Sequence, residues 1–199
     1  MDLYNSWIQH PHPEHVVHSI TFFDCRSIYG ETQLLDKLKN HIFEQLGRYS
    51  QFFFSQLTKS SLEIKAPLSF FGNIQATSFE KDKKGINVKH GMLPIVDFAR
   101  IFSLFHHISQ TNTGERLQKL MEADVLSEPE FHEVYQAYYF LMRLRLDHQT
   151  QQILNGDEPD NILNIKGMSK IERVTLKEVF KIVEKYQKKL HVNFGGVPG

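Results

Sequence analysis

Met92–Ile108 reads MLPIVDFARIFSLFHHI, a stretch apolar on every side of a helix except at Asp97 and Arg100, which stand one turn apart on the same side. A helix that is hydrophobic all round is buried. An isolated buried charge costs several kcal/mol, roughly, unless a partner and hydrogen bonds compensate for it. Asp97 and Arg100 are therefore expected to satisfy each other, or a group that binds there. The plainest arrangement is a structural clamp. Pro94 then sits in the first helical turn, where proline is tolerated, and Asp97 lies early enough to complement the positive end of the helix dipole.

Outward from this helix the chain reads as a helical bundle. Helices are expected near 94–109, 113–124, 128–155 and 169–192, joined by short connections that favour antiparallel neighbours. Ser127 with Glu130, and Ser169 with Glu172, have capping-box spacing, and Gly156 is placed as a helix stop. Upstream, SITFFDCR at 19–26 reads as a short buried strand, followed by a turn at Tyr29-Gly30 and an amphipathic helix from about Thr32 to Leu46. After Gly47, RYSQFFFSQLTKSSL is a second helix or a continuation of the first. NIQATSFE and GINVKH flank a DKKG turn as a small hairpin, and the closing GGVPG reads as a flexible tail. The expected fold is mainly α, with one N-terminal strand and one hairpin.

Composition narrows the function classes. The 199 residues are 41% hydrophobic, enough for a substantial core. Twenty-three basic and 23 acidic residues cancel, so no global field draws the chain to nucleic acid or to a membrane surface. No apolar stretch reaches the roughly 20 residues that span a bilayer, and MDLYNSWIQHPHPEH lacks the features of a signal peptide. A cytoplasmic protein is expected. Cys25 is the only cysteine, which excludes an internal disulfide and a cysteine-based zinc site.

The helix near 128–155 carries Arg145, His148, Gln149 and Gln152 on one stripe, continuous with Tyr138 and Met142. Arg143 and Asp147 form a separate i,i+4 pair and offer another face to water. The loop NGDEPDN follows, and a chain reversal there could bring Asp160 and Asn161 near the stripe. Asp24, on the expected strand beside Arg26 and before Gly30, is a plausible metal carboxylate, but one Asp does not build a two-metal site. His10, His12, His15 and His18 invite a metal reading that the intervening prolines oppose, and the adjacent His106 and His107 point in different directions. No GxSxG, Walker-type loop, HExxH or GxGxxG fingerprint is present.

Taken in order, APLSFFG, INVKHGMLPIVDFARI, TGERLQKL, LRLDHQ, the EPDN loop and SKIERVTLKEVFKIVEKYQKKL resemble the nucleotidyltransferase substrate-binding domain over roughly residues 50–192. In bacterial signalling proteins that domain follows a nucleotidyltransferase domain, often behind cyclic-nucleotide-binding and CBS modules. The preceding SWIQHPHPEHVVHSITFFDCRSIYGETQLLDKLKNHIF resembles the last strand and helix of that catalytic domain, which is similar to the uridylyl- and adenylyltransferases of nitrogen regulation.

The resemblance implies three segments: a catalytic-domain remnant at 1–48, a helical substrate-binding domain at 49–192 and a tail at 193–199. It also implies that Asp24 is the third metal carboxylate of an Asp-x-Arg-x-x-x-Gly pattern completed by Arg26 and Gly30. The Gly-Ser motif and paired carboxylates of the family would precede residue 1, so the chain reads as a C-terminal fragment that is inactive alone. Mg2+ and a nucleoside triphosphate are implied for the intact protein, with a nucleotide or protein acceptor as partner and a homodimer as an option. Lys89, Asp97, Arg100, Arg143, Arg145, His148 and Gln149 are the expected substrate-binding residues, since planar arginine donors suit phosphate. The rival expectation is a non-enzymatic regulatory or dimerisation module whose polar residues set helix packing.

Overall fold

The computed structural model describes residues 1–195 apart from 13–15, 17, 18, 20, 70, 81 and 82. The chain is mainly helical, 68% of its described residues, with a small three-strand antiparallel sheet. Most of the expected GGVPG tail, and Asp82 of the DKKG turn, lie outside the described residues. The chain divides into two compact units, each discontinuous in sequence: Met1–Glu63, Asp97–Glu128 and Lys189–Gly199 form the first, Ile64–Val96 and Pro129–Lys188 the second.

The first unit contains α1 (Asp2–Gln9), α2 (Thr32–Ser61), the later part of α3 (Val88–Phe105), α4 (Thr113–Glu122) and the end of α6 (Lys170–Phe194). Helix α2 runs through Gly47 and kinks at Tyr49, whose φ of −121° and ψ of 21° leave the helical region. The boundary expected at 48/49 lies within α2, inside the first unit. The apolar FFFSQL segment beyond it buries Phe53, Phe54 and Leu57. Phe54 meets Phe105 at 5.4 Å and Phe194 at 5.5 Å, and Phe194 meets Phe102 at 5.1 Å, so aromatic rings from three helices share one core.

Among the described residues of 19–26 the expected strand is not formed. Residues 21–23 are helical and Asp24 is in a turn. A strand needs a neighbour to satisfy its backbone, whereas a helical turn puts Ser19 and Phe23 on one face, both buried. Phe23 packs on Phe53 at 5.9 Å and on Tyr4 at 5.8 Å. A short apolar run fits either state, and here packing decides.

The second unit holds the sheet, the start of α3, most of α5 (Glu128–Leu154) and most of α6. The hairpin is β1 (Thr77–Glu80) with β2 (Lys83–Asn87), in antiparallel register Thr77↔Gly85. A third strand, β3 (Ile162–Leu163), was not expected. It pairs antiparallel with β2 through Ile86↔Leu163. Gly85 makes this approach possible, because an added Cβ would lie 2.9 Å from Ile162 Cγ2 and run into the Leu163 carbonyl.

Helix α3 begins six residues earlier than Pro94. Asn87 caps it, its Oδ1 accepting the His90 N–H at 3.1 Å. Pro94 is therefore inside the helix, where it withholds a donor from the backbone ladder, and Asp97 is too far along to serve the dipole. Gly91 lies against Phe180 of α6, where a Cβ would come within 2.6 Å of the ring. The capping box at the start of α6 is reciprocal: Ser169 N–H donates to Glu172 at 2.7 Å, and Glu172 N–H donates to Ser169 Oγ at 3.2 Å.

Candidate functional site

Helices α3 and α4 bring one Asp and two Arg side chains around Asp24 in the first unit. Arg100 Nε and Nη2 each lie 2.9 Å from Asp24 Oδ2. Arg116 Nη2 donates a short bond to Asp24 Oδ1, and Arg116 Nε donates to the Gln110 carbonyl at 2.8 Å. Arg100 Nη1 donates to Asp97 Oδ1 at 3.2 Å, so the pair expected from sequence is formed but Arg100 divides its donors between two carboxylates. The Arg116 side chain is only 3% exposed. Burial pushes Asp97 up to about 6, against the pull of Arg100 and with the Asp24 charge adding to the rise.

This geometry bears on Asp24 as a metal carboxylate. Both of its oxygens accept from guanidinium groups, which compete with a cation for the oxygens and repel it. As arranged, the residues do not fit Mg2+ at this position. Among the described residues no group of three or more His, Cys, Asp or Glu side chains could hold a metal ion. His15 and His18 of the N-terminal cluster lie outside the described residues. His107 stacks on Phe43 at 5.1 Å, while His106 packs edge-on to Phe105 at the same distance.

In the second unit the α5 stripe meets the loop that follows it. The chain reverses at Gly156, whose φ of 79° gives the left-handed residue of a Schellman cap. The Asp157 N–H bonds the Gln152 carbonyl at 2.9 Å and the Gly156 N–H bonds Ile153 at 3.1 Å. Arg145 Nε then donates to Asn161 Oδ1 at 2.7 Å and Gln149 Nε2 to the same oxygen at 3.4 Å. His148 Nε2 lies 2.8 Å from Asp160 Oδ1, and the Asp160 N–H donates to Gln152 Oε1 at 2.9 Å. The stripe holds the loop. The loop in turn feeds β3, with the Asn161 carbonyl accepting the Val88 N–H at 2.9 Å. Lys89, the next residue, is exposed. Arg143 and Asp147 pair at 3.5 Å on the solvated face, 83% and 67% exposed.

Two clefts lie apart from these networks. One, of about 570 Å³ in the first unit, is walled by α2 and the residues after α3, including Asp36, Lys39, Glu44 and His107. The other, of about 220 Å³ in the second unit, is formed by the hairpin, the start of α3 and the segment before the hairpin. Sequence reasoning missed Arg116 and, His107 aside, the residues of both clefts. Arg116 had one legible signal, since it shares the buried face of α4 with Leu117 and Leu120. The cleft residues are ordinary surface types brought together from separate segments.

Residues 51–194 match the family model described as "putative nucleotidyltransferase substrate binding domain". The chain belongs to that family. No curated protein and no solved structure matches it. Of the expected site residues, Lys89, Asp97, Arg100, Arg143, Arg145, His148 and Gln149 fall within the substrate-binding domain so matched, and Asp24 falls outside it. Among the described residues no helix is long and apolar enough to cross a membrane.

Proposed function

We infer that this chain is the substrate-holding accessory domain of a nucleotidyltransferase, and that its own residues do not perform the transfer. The observation that carries this reading is the family match over 51–194. The guanidinium-bound state of Asp24 supports the second half of it, because a lone carboxylate held by Arg100 and Arg116 offers no clamp for two catalytic cations. By the same family reading the intact enzyme works in bacterial cytoplasmic signalling. A partner catalytic domain supplies the site for Mg2+ and the nucleoside triphosphate, and a nucleotide or protein acceptor is held here.

The packing reading gains ground at particular residues. Arg145, His148 and Gln149 are engaged by Asp160 and Asn161, and Asp97 and Arg100 by one another and by Asp24. These side chains fix a loop and a turn, while holding substrate falls to other surfaces of the domain.

The test incubates the purified chain with labelled ATP, UTP, GTP or CTP, magnesium and candidate acceptors, and in parallel titrates each nucleotide by calorimetry. No transfer above a boiled control, together with saturable nucleotide or acceptor binding, is the expected result. Labelling that disappears in Asp24→Ala would overturn the accessory role. Absence of binding by the chain, and by the chain joined to a catalytic domain of this family, would leave only the packing module.

A further inference from the structure

The 220 Å³ cleft of the second unit has a lining unlike that of the larger one. Lys65, Gln75, Thr77, Asn87 and His90 bring an ammonium, two amides, a hydroxyl and an imidazole to it, and no carboxylate occurs among its described lining residues. Pro67 and Phe79 form the apolar wall. The larger cleft carries Asp36 and Glu44, and its lysine, Lys39, donates to the Ser109 carbonyl at 2.8 Å. An anion is therefore repelled from one and accommodated in the other.

We propose that the cleft between Lys65, Thr77 and His90 binds the phosphate of a phosphomonoester, as one end of the substrate this domain holds. The proposal rests on the substrate-holding reading and adds the site and the ligand chemistry to it. Three features carry it. The donors come from three separate segments, before the hairpin, on its strands and at the start of α3, and so approach from different directions. That suits a tetrahedral oxyanion with three terminal oxygens better than a planar carboxylate.

Asn87 already uses its Oδ1 to accept the His90 N–H at 3.1 Å, which leaves the amide nitrogen as its donor end. Finally, 220 Å³ is smaller than the roughly 300–1,000 Å³ of sites that enclose a whole small molecule. The cleft takes a phosphate and the first part of what it is attached to, with the 40%-exposed Phe79 ring and Pro67 alongside.

The test uses the full 199-residue chain, labelled with nitrogen-15. It is titrated separately with inorganic phosphate, adenosine monophosphate, uridine monophosphate and, as a control, acetate. Phosphate and the monophosphates should shift the amides of Gln75, Thr77, Asn87 and His90 saturably, and acetate should not. Lys65→Gln should weaken phosphate binding about tenfold, the usual worth of one charge-assisted bond. Thr77→Val, at an exposed position, should weaken it less without altering the remaining spectrum.

Unchanged amides around the cleft, or shifts that survive both substitutions, would overturn the site. Monophosphate binding mapped to other residues would also overturn it, while leaving the accessory-domain reading intact. Phosphate bound in the cleft by a chain that binds no nucleotide or acceptor would uphold the site and count against that reading.

Discussion

Arg100 Nε donates to Asp24 Oδ2 at 2.9 Å across 76 residues of sequence, joining a turn near the N-terminus to the middle of α3. With Asp97 on one side and Arg116 on the other, the four side chains alternate in charge and balance when both carboxylates are ionised. The arrangement explains how the apolar part of α3 beyond Met92 tolerates two charges: neither lacks a counter-ion.

Asp24 is the shared anion of this cluster, so Asp24→Asn should be costly. It removes the shared negative charge and replaces one of the two acceptor oxygens with an amide donor, leaving Asp97 as the one carboxylate beside two guanidinium groups. Breaking a fully buried pair costs roughly 3–5 kcal/mol. The Asp24 side chain is 20% exposed, and a loss of about 2–3 kcal/mol is expected on that scale. Urea denaturation measures it, and a loss below about 0.5 kcal/mol, usual for surface changes, would show a solvated cluster. The melting temperature of the wild-type chain should not respond to magnesium, since no cation competes for Asp24.

The loop after α5 depends on Asn161, whose Oδ1 accepts from both Arg145 and Gln149. Asn161→Ala should cost about 1–2 kcal/mol by leaving those half-buried donors without their acceptor. It should also loosen β3, raising amide exchange at Val88, whose N–H donates to the Asn161 carbonyl. Unchanged exchange there would mean that the strand pairing holds the loop unaided.

Helices α3, α4 and α5 each end on a left-handed residue, and only one of these is glycine: His107 with φ of 57°, Asp124 with 56° and Gly156 with 79°. The αL conformation disfavours a Cβ by roughly 1 kcal/mol. Gly156→Ala should therefore destabilise by about 1 kcal/mol, and Asp124→Gly should stabilise by about 0.5–1 kcal/mol, helped by removing an anion from a helix C-terminus. Thermal melts of the two variants should move in opposite directions.

These caps show why the sequence is partly legible. Gly156 announces its turn because glycine is the usual residue there. His107 and Asp124 do the same work with no such signal, and the sequence accordingly places the ends of α3 and α4 within a few residues rather than at the cap. The capping box at Ser169 and Glu172 is local chemistry and is readable for that reason. The start of α3 is not. Its cap, Asn87, lies inside a segment that reads as strand, and Pro94 offers a false start.

The partners of Asp24 are 76 and 92 residues away. Nothing in the periodicity of SITFFDCR could report them, and the apolar run alone suggests a strand. The loop contacts of Arg145 and His148 are within reach because they span only 16 and 12 residues and follow from one chain reversal.

The burial of Asp97 has a consequence for pH dependence. Its folded-state value of about 6 lies above the ordinary 3.8, with burial as the leading cause. Between those values the folded chain keeps a proton that the unfolded chain has released, so this group favours the folded state most below pH 4. Its contribution is lost as pH rises through 6. Arg100 and Asp24 are the charged groups that face it, the first opposing the rise and the second adding to it.

Comparing wild type with Asp97→Asn therefore isolates the effect, because the loss of the Arg100 contact in the variant is nearly constant with pH. The variant should gain stability relative to wild type from pH 4 to pH 7, by on the order of 2–3 kcal/mol at one pKa unit per 1.4 kcal/mol. Denaturant midpoints across that range provide the reading. A difference that stayed flat, or shrank toward neutral pH, would mean that Asp97 is ionised throughout and that Arg100 outweighs burial.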